Sequence, residues 1–231
     1  EISACLVGSE MCIRDSYSAA QLYAFASAVN GGQTSINAKL VKNIDLSTVC
    51  GENLNGGTSW TPIGISTSSY SYPFQGTFDG QGHTVSGLYM DITRTGNYST
   101  YGGLFGYVYG GTVKNLNVNG TVTVTNKDSN FVYVGGVVGY ADGPSGALST
   151  VENCSFAGEV TGTSGYSIYV GGVVGPADKA TVRGCSNSGT VTANGQDYSY
   201  AGGVVGRAYK NTTVELSLIH ISEPTRQAEI S

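Results

Sequence analysis

Asp79 and His83 lie in the segment D-G-Q-G-H and are the first residues that suggest chemistry in this sequence. As an acid–base pair they could transfer protons in an active site. A glycosidase would need a second carboxylate nearby, and none recurs beside this segment. The glycine-rich spacing is more typical of a strand-joining turn in which Asp79 accepts hydrogen bonds from local backbone, and we favour that interpretation.

Cys154 and Cys185 are separated by one copy of an internal repeat, which would place them on neighbouring strands. Strands ~4.8 Å apart bring Cα atoms into the range of a disulfide. Side chains on in-register parallel strands point the same way, however, which favours free buried thiols. With Cys50, these cysteines have no zinc-binding spacing, and the sequence predicts no metal and no cofactor.

Tyr133, Tyr169 and Tyr200 each stand two residues before a pair of glycines. Their equivalent positions predict an aromatic column, which we interpret as a candidate ligand-binding face. The alternative is a column that only stabilises half-buried strands. The glycine runs themselves are not phosphate loops, because no Lys-Ser/Thr and no helix follow them.

The composition indicates which elements hold these residues. The chain of 231 residues contains 35 glycines and 16 tyrosines, and only 12% of its residues are charged. This composition favours an all-β protein with many tight turns. The net charge of −5 and the lack of basic clusters argue against a nucleic-acid partner. No apolar run predicts insertion into a membrane.

Three short blocks recur along the chain. The first comprises Y-G-G-L-F-G at 101–106, V-G-G-V-V-G at 134–139 and 170–175, and A-G-G-V-V-G at 201–206. Each of the first three copies is followed by a T-V-x strand and then by a G-x-V-T strand. A fixed period with three short strands per repeat predicts a right-handed parallel β-helix, or β-solenoid, of about five or six coils.

Equivalent positions predict which side chains stack in the core of this solenoid. Three inward ladders are expected: Val85, Val113, Val151 and Val182; Leu88, Leu116, Cys154 and Cys185; Val122, Val160 and Val191.

A short amphipathic helix is predicted within residues 17–35. Ser18 and Gln21 form a capping box, and Leu22, Phe25 and Val29 share one helical face. We expect this helix to cap the first coil and hide its unpaired edge. The solenoid would then occupy residues 36–215.

The repeats resemble bacterial GLUG-motif proteins, as does the run from W-T-P-I-G at residue 60 through G-T-F-D-G-Q-G-H-T-V-S-G-L. The resemblance covers nearly all of residues 17–215. It implies a secreted or surface-attached adhesin-like β-solenoid. Such repeats also precede the catalytic part of immunoglobulin-A-cleaving metallopeptidases, but no H-E-x-x-H motif occurs here.

The two ends of the chain differ from the body. Residues 216–231 back-translate into a sequencing adapter, and residues 1–15 back-translate into its opposite strand. We interpret 1–16 and 216–231 as translated adapter and exclude them from fold reasoning. We expect these ends to be poorly packed, except that 216–221 could pair with the open coil edge.

These observations predict a non-catalytic extracellular adhesin or stalk module of a larger bacterial surface protein. Its partner would be an unidentified glycan or a host or extracellular protein. The alternative is an enzyme, either a carbohydrate-active β-helix or the front region of a peptidase. Charged residues are few and do not recur at matching repeat positions, which disfavours a catalytic cluster.

Overall fold

A computed structural model describes residues 13–16, 18–67, 69–128 and 130–215. Its helices are α1 (Ala19–Asn30) and the 3-10 helix η1 (Leu46–Thr48). The strands of the first half are β1 (Ile13–Ser16), β2 (Asn37–Leu40), β3 (Ile44–Asp45), β4 (Ile65–Ser66), β5 (Ser71–Tyr72), β6 (Thr77–Asp79), β7 (Thr84–Arg94), β8 (Thr100–Gly102), β9 (Phe105–Tyr109), β10 (Thr112–Lys114) and β11 (Asn117–Asn126). Those of the second half are β12 (Val132–Gly135), β13 (Val138–Asp142), β14 (Ser149–Glu152), β15 (Ser155–Ser164), β16 (Ser167–Gly171), β17 (Val174–Ala177), β18 (Ala180–Arg183), β19 (Ser186–Asn187), β20 (Thr190–Gly195), β21 (Tyr198–Gly202), β22 (Val205–Ala208) and β23 (Thr213–Glu215).

These strands form a parallel β-solenoid, which confirms the fold class predicted from the repeats. The longest sheet has the order β1-β2-β6-β10-β14-β18-β23, and a second has the order β19-β15-β11-β7-β3, with β20 also on β15. Two further sheets have the orders β21-β16-β12-β8 and β22-β17-β13-β9. Because these last two contain four strands each, the described residues complete four coils rather than five or six.

The core is a set of inward ladders that run from coil to coil. The ladder of Val122, Val160 and Val191 is confirmed by strand pairing, and Met90 extends it by one coil. Two other predicted members are misplaced, because Val85 pairs with Val118 and Leu88 pairs with Gly120. Strand β6 pairs with β10, which is the T-V-x strand of the next coil, so β6 is the corresponding strand of its own coil. The run T-V-S-G-L therefore lies in β7, the strand that follows β6.

Close backbone contact between coils explains why glycine recurs at the corners. A Cβ atom on Gly172 would lie 2.1 Å from the carbonyl oxygen of Gly203, far inside van der Waals contact. A Cβ on Gly136 would likewise lie 2.5 Å from the carbonyl oxygen of Gly172. At Gly203, the next equivalent position, an added Cβ atom would have no described atom of another part of the chain within 4 Å. The glycine is therefore required wherever another coil stacks on it.

Helix α1 forms as its sequence predicts. The Ser18 hydroxyl accepts a hydrogen bond from the Gln21 backbone N–H, and the predicted apolar face is buried. Phe25 on this face packs against Phe74 and Phe78, with ring centroids 5.9 and 5.8 Å away. The Asn30 side chain at the helix end donates to the carbonyl of Pro62 and accepts from the N–H of Gly64. The helix is thus part of the core at the first coil.

The edge of β2 is covered by a strand rather than by the helix. Residues 13–16 form β1, which pairs in parallel with β2, and the Asp15 carboxylate lies 3.4 Å from the Lys39 ammonium. The expectation that the adapter-like ends are poorly packed is therefore wrong for these four residues. Unpaired backbone at a sheet edge accepts any chain of suitable geometry. The expectations for residues 1–12 and 216–231 lie outside the described residues.

A column of charged side chains runs along the seven-stranded sheet, contrary to the expectation that charges do not recur at matching positions. Strand pairing places them next to one another in the order Asp15, Lys39, Asp79, Lys114, Glu152, Arg183 and Glu215. The sign of the charge alternates at every step. The Lys114–Asp79 and Arg183–Glu152 pairs are 3.4 and 2.9 Å apart. The alternation escapes a search for one recurring residue type because neighbouring strands have charges of opposite sign at this position.

Candidate functional site

The predicted tyrosine column is present and longer than expected. Strand pairing aligns Tyr133 with Tyr169 and Tyr169 with Tyr200, and it adds Tyr101 from the first complete coil. Centroids of successive rings are 5.4, 5.5 and 5.0 Å apart. Tyr133 alternates with the buried side chains of Val132 and Val134, so its ring projects from the outer face of the strand.

A second column lies beside the first and was missed from the sequence. Tyr107 and Tyr140 pair on the adjacent sheet, with ring centroids 5.3 Å apart and an interplanar angle of 9°. The two columns meet across the glycine corner, where Tyr101 stacks on Tyr107 at 5.6 Å and Tyr133 on Tyr140 at 5.1 Å. The sequence does contain a signal for this second column, because Tyr107 and Tyr140 each directly follow a G-G-x-x-G run.

Arg207 takes the equivalent position in the last described coil. Its guanidinium carbon lies 4.8 Å from the ring centroid of Tyr200 and 4.4 Å from that of Tyr209. One guanidinium N–H also donates to the hydroxyl of Tyr169 at 3.1 Å. These are distances at which a cation is attracted to aromatic rings. We call the whole set the tyrosine array: Tyr101, Tyr107, Tyr133, Tyr140, Tyr169, Tyr200, Tyr209 and Arg207.

The geometry of the rings decides how the tyrosine array can meet a ligand. Tyr169 and Tyr200 are nearly parallel, at 5°, and Tyr101 and Tyr107 are 12° from parallel. Rings stacked in this way cover one another's faces. Tyr169 is only 4% exposed, so the outer surface offers ring edges and phenol hydroxyls at the other tyrosines of the array. Such a surface suits polar contacts better than the stacking of a sugar ring on an aromatic face.

Ionisation of Tyr107, Tyr133, Tyr140 and Tyr209 in the tyrosine array is suppressed. Burial, and then the nearby Asp142 carboxylate, raise the pKa values of Tyr107 and Tyr140 above the usual tyrosine range. Burial also raises the pKa of Tyr133, and it raises that of Tyr209 to about 12 with the help of a hydrogen bond to Tyr169. The Tyr107 hydroxyl donates to the Asp142 carboxylate at 3.4 Å. All these phenols are hence neutral near pH 7.

We therefore expect folded-state stability to fall at high pH. The pKa values are higher in the folded state, so these phenols contribute their full stabilisation below about pH 10, and it is lost as the pH rises through the folded-state values. Tyrosinate absorbance measured against pH is expected to show Tyr107, Tyr133, Tyr140 and Tyr209 ionising only above about pH 10, together with unfolding. The same titration in denaturant is the control. Ionisation of all tyrosines in one step by the folded protein would contradict this expectation.

Asp79 and His83 form a turn, as favoured above. The Asp79 carboxylate accepts hydrogen bonds from the Gln81 backbone N–H at 2.9 Å and from the Asn115 amide at 3.0 Å. Burial alone would raise the pKa of Asp79, but these bonds and the Lys114 ammonium outweigh it and lower the pKa below its ordinary value. No hydrogen bond joins Asp79 to His83 in the described part of the chain. Asp79 instead starts an amide ladder, because Asn153 donates in turn to Asn115.

The cysteines among the described residues, Cys50, Cys154 and Cys185, are buried and unbonded, in line with the free thiols favoured by the in-register geometry of Cys154 and Cys185. The side chains of Cys154 and Cys185 nevertheless meet, which the sequence argument did not foresee. The neighbouring Cys185 thiol, and then burial, raise the pKa of Cys154, while the two thiols donate to the backbone carbonyls of Glu152 and Arg183. Among the described residues, no group of His, Cys, Asp or Glu has the arrangement of a metal site. No described helix is long and apolar enough to cross a membrane.

Comparison with known families agrees with the repeat architecture. Residues 132–161 and 166–192 match the family described as the GLUG motif. The first segment runs from β12 into β15 and the second from β16 into β20, so each match covers nearly one coil of the solenoid. The chain is thus a β-solenoid protein in which two coils match the GLUG motif.

Among curated proteins, halomucin of Haloquadratum walsbyi is 33% identical to this chain over 126 residues. The matched part is 53% of this chain and 1% of halomucin, so the chain spans a very small share of its relative. That relative is archaeal, and the expectation of a bacterial source is not confirmed. No solved structure matches.

Proposed function

We propose that this chain is a non-catalytic repeat module of an extracellular surface protein and that the tyrosine array holds its partner. The partner is a glycan or an extracellular protein. One observation carries the proposal: tyrosine occupies the same strand position in four successive coils, and Tyr101, Tyr133 and Tyr200 of this column are partly exposed. No cofactor takes part in this function.

The resemblance to halomucin supports a surface or extracellular location. The shape of the solenoid supports a binding role, because a regular stack of coils presents an extended surface to a long partner. Tyrosine suits such a surface, since its ring is rigid and its hydroxyl is both a donor and an acceptor. The charged column on the seven-stranded sheet belongs to a different face of the coil.

The test is binding of the protein to immobilised glycans and matrix proteins, with polysaccharide-cleavage assays run on the same preparations. We expect specific capture of one ligand class and no turnover. Replacement of Tyr200 by serine removes an end ring of the column, and we expect it to weaken capture about tenfold.

Tyr23→Ser is the matched control, because Tyr23 is 49% exposed and lies on helix α1, outside the tyrosine array. Circular dichroism checks that both variants fold. Equal capture by the two variants would show that the tyrosine array is not the binding surface. Cleavage of any glycan would overturn the non-catalytic assignment.

A further inference from the structure

A cleft of about 490 Å³ opens beside the first ring of the tyrosine array. It lies between the β4–β5 hairpin and strands β7 and β8, and Tyr101 lines its end. The hairpin belongs to the loop that enters before the first complete coil, so the later coils have no counterpart of it. The cleft is therefore a single site at one end of a repeated surface.

The floor of the cleft is apolar and rigid. Trp60 and Met90 lie beneath it and are 2% and 0% exposed, so its accessible apolar surface comes from the half-buried Ile65 and Ile92. The indole N–H of Trp60 donates to the carbonyl of Leu104 at 3.0 Å, which fixes the ring against the coil. Serine and threonine hydroxyls from the hairpin and from β8 form the walls. Apolar surface with a few convergent polar groups is the usual composition of a small-molecule site.

One aromatic ring of the cleft, that of Tyr98, is not stacked on another described ring as the rings of the tyrosine array are. Tyr98 lines the cleft, and its ring makes no contact with another aromatic ring among the described residues. The ring lies against Gly96 and is half-buried, so the part of it that faces the cleft can contact the apolar face of a sugar. Aromatic faces covered by their neighbours, such as those of Tyr169 and Tyr200, lack this capacity.

Arg94 gives the cleft its charge. It is the one charged residue among those described that line the cleft, and no carboxylate accompanies it. The Arg94 side chain is exposed and makes no hydrogen bond or ion pair within the described part of the chain. A guanidinium whose five N–H donors are unused fits a carboxylate through two parallel hydrogen bonds.

We propose that this cleft binds the carboxylate-bearing sugar of an acidic glycan, with the guanidinium of Arg94 on the carboxylate and the ring of Tyr98 on the sugar face. The inference rests on the proposed function for the rest of the ligand, which continues from Tyr101 along the tyrosine array. The cleft itself can be tested with a probe too short to reach beyond it.

The experiment measures binding of a short oligogalacturonate, and of its carboxyl-reduced neutral counterpart, by calorimetry at low salt. We expect the acidic probe to bind and Arg94→Gln to weaken it at least about tenfold, the effect of losing a charge-assisted pair. Raising the salt concentration is expected to weaken it as well, because the cleft is open to solvent. The neutral probe is expected to bind more weakly and to be indifferent to Arg94→Gln.

Arg183→Gln is the matched control, because Arg183 is an exposed arginine on the seven-stranded sheet, remote in the chain from the cleft residues. Equal binding of acidic and neutral probes, or binding unchanged by Arg94→Gln, would overturn the assignment of the cleft. Tyr200→Ser is expected to leave binding of the short probe unchanged. The protein could fail to bind the short probe and still capture a larger ligand in a way that depends on Tyr200. That result would refute the assignment of the cleft and leave the proposed function standing.

Discussion

Replacement of Gly172 by alanine is expected to destabilise the protein by about 3 kcal/mol, the upper part of the range for overpacking a tight interior. The added methyl group would lie 2.1 Å from the carbonyl oxygen of Gly203 in the next coil and 2.3 Å from the Asn187 side chain. The asparagine can move, but the carbonyl lies in a corner that is fixed on both sides, because the N–H groups of Gly172 and Val173 donate to the carbonyls of Gly202 and Val204. The two coils must therefore separate locally, and strand pairs on both sides of the corner weaken.

Gly203→Ala is the matched control for this prediction. Gly203 has the same place in the G-G-V-V-G run, but no described atom lies within 4 Å of the point that an added methyl group would occupy. Neither glycine has the positive φ that would add backbone strain on substitution. We expect the control to change stability by less than about 1 kcal/mol. Urea denaturation followed by circular dichroism measures both, and similar losses at the two positions would contradict the stacking argument.

Phe78→Ala is expected to cost about 3–5 kcal/mol, as for other fully buried aromatic side chains. Phe78 is 0% exposed and lies where the helix meets the first coils. Its ring centroid is 5.8 Å from that of Phe25 on α1 and 5.2 Å from that of Phe105 on β9. Truncation would leave a cavity between three elements that are far apart in the chain. We expect the helix and the first coil to lose their cooperative unfolding with the rest of the solenoid.

Two further variants separate packing from a general effect of mutation. Phe78→Leu keeps most of the buried volume and is expected to cost less than about 1.5 kcal/mol. Tyr198→Ala removes an aromatic side chain that is 59% exposed, and we expect a change within about 0.5 kcal/mol. Hydrogen exchange of the helix amides reports the local loss. Equal protection of the helix in Phe78→Ala and in the unmodified protein would show that the ring does not hold the helix.

The period of the repeats was enough to predict the architecture, and local capping signals were enough to predict the helix. The register of the first complete coil was not predictable in this way. Its glycine corner is one residue shorter than the next, since Gly102 pairs with Val134 while Phe105 pairs with Val138. Aligning the glycine runs by sequence therefore places Tyr101 opposite the wrong residue. Strand pairing is decided by backbone hydrogen bonds, which a shortened corner shifts.

The candidate site was partly predictable for a similar reason. Tyr133, Tyr169 and Tyr200 share one strand position, so the repeat alone identified them. Tyr107 and Tyr140 lie on a different sheet, and their approach to the first column depends on the angle of the glycine corner. The cleft beside Tyr101 depends on a loop that occurs once, so no repeated pattern marks it.

The alternating charges on the seven-stranded sheet favour the gain or loss of coils in even numbers. Removing one internal coil would place two charges of the same sign next to each other, for example Asp79 beside Glu152. Removing two consecutive coils would restore the alternation, with Asp79 beside Arg183. Each exposed pair contributes only about 0–1 kcal/mol, so the bias is modest at any one step. Over many rounds of duplication and loss, however, it favours a solenoid that lengthens and shortens two coils at a time.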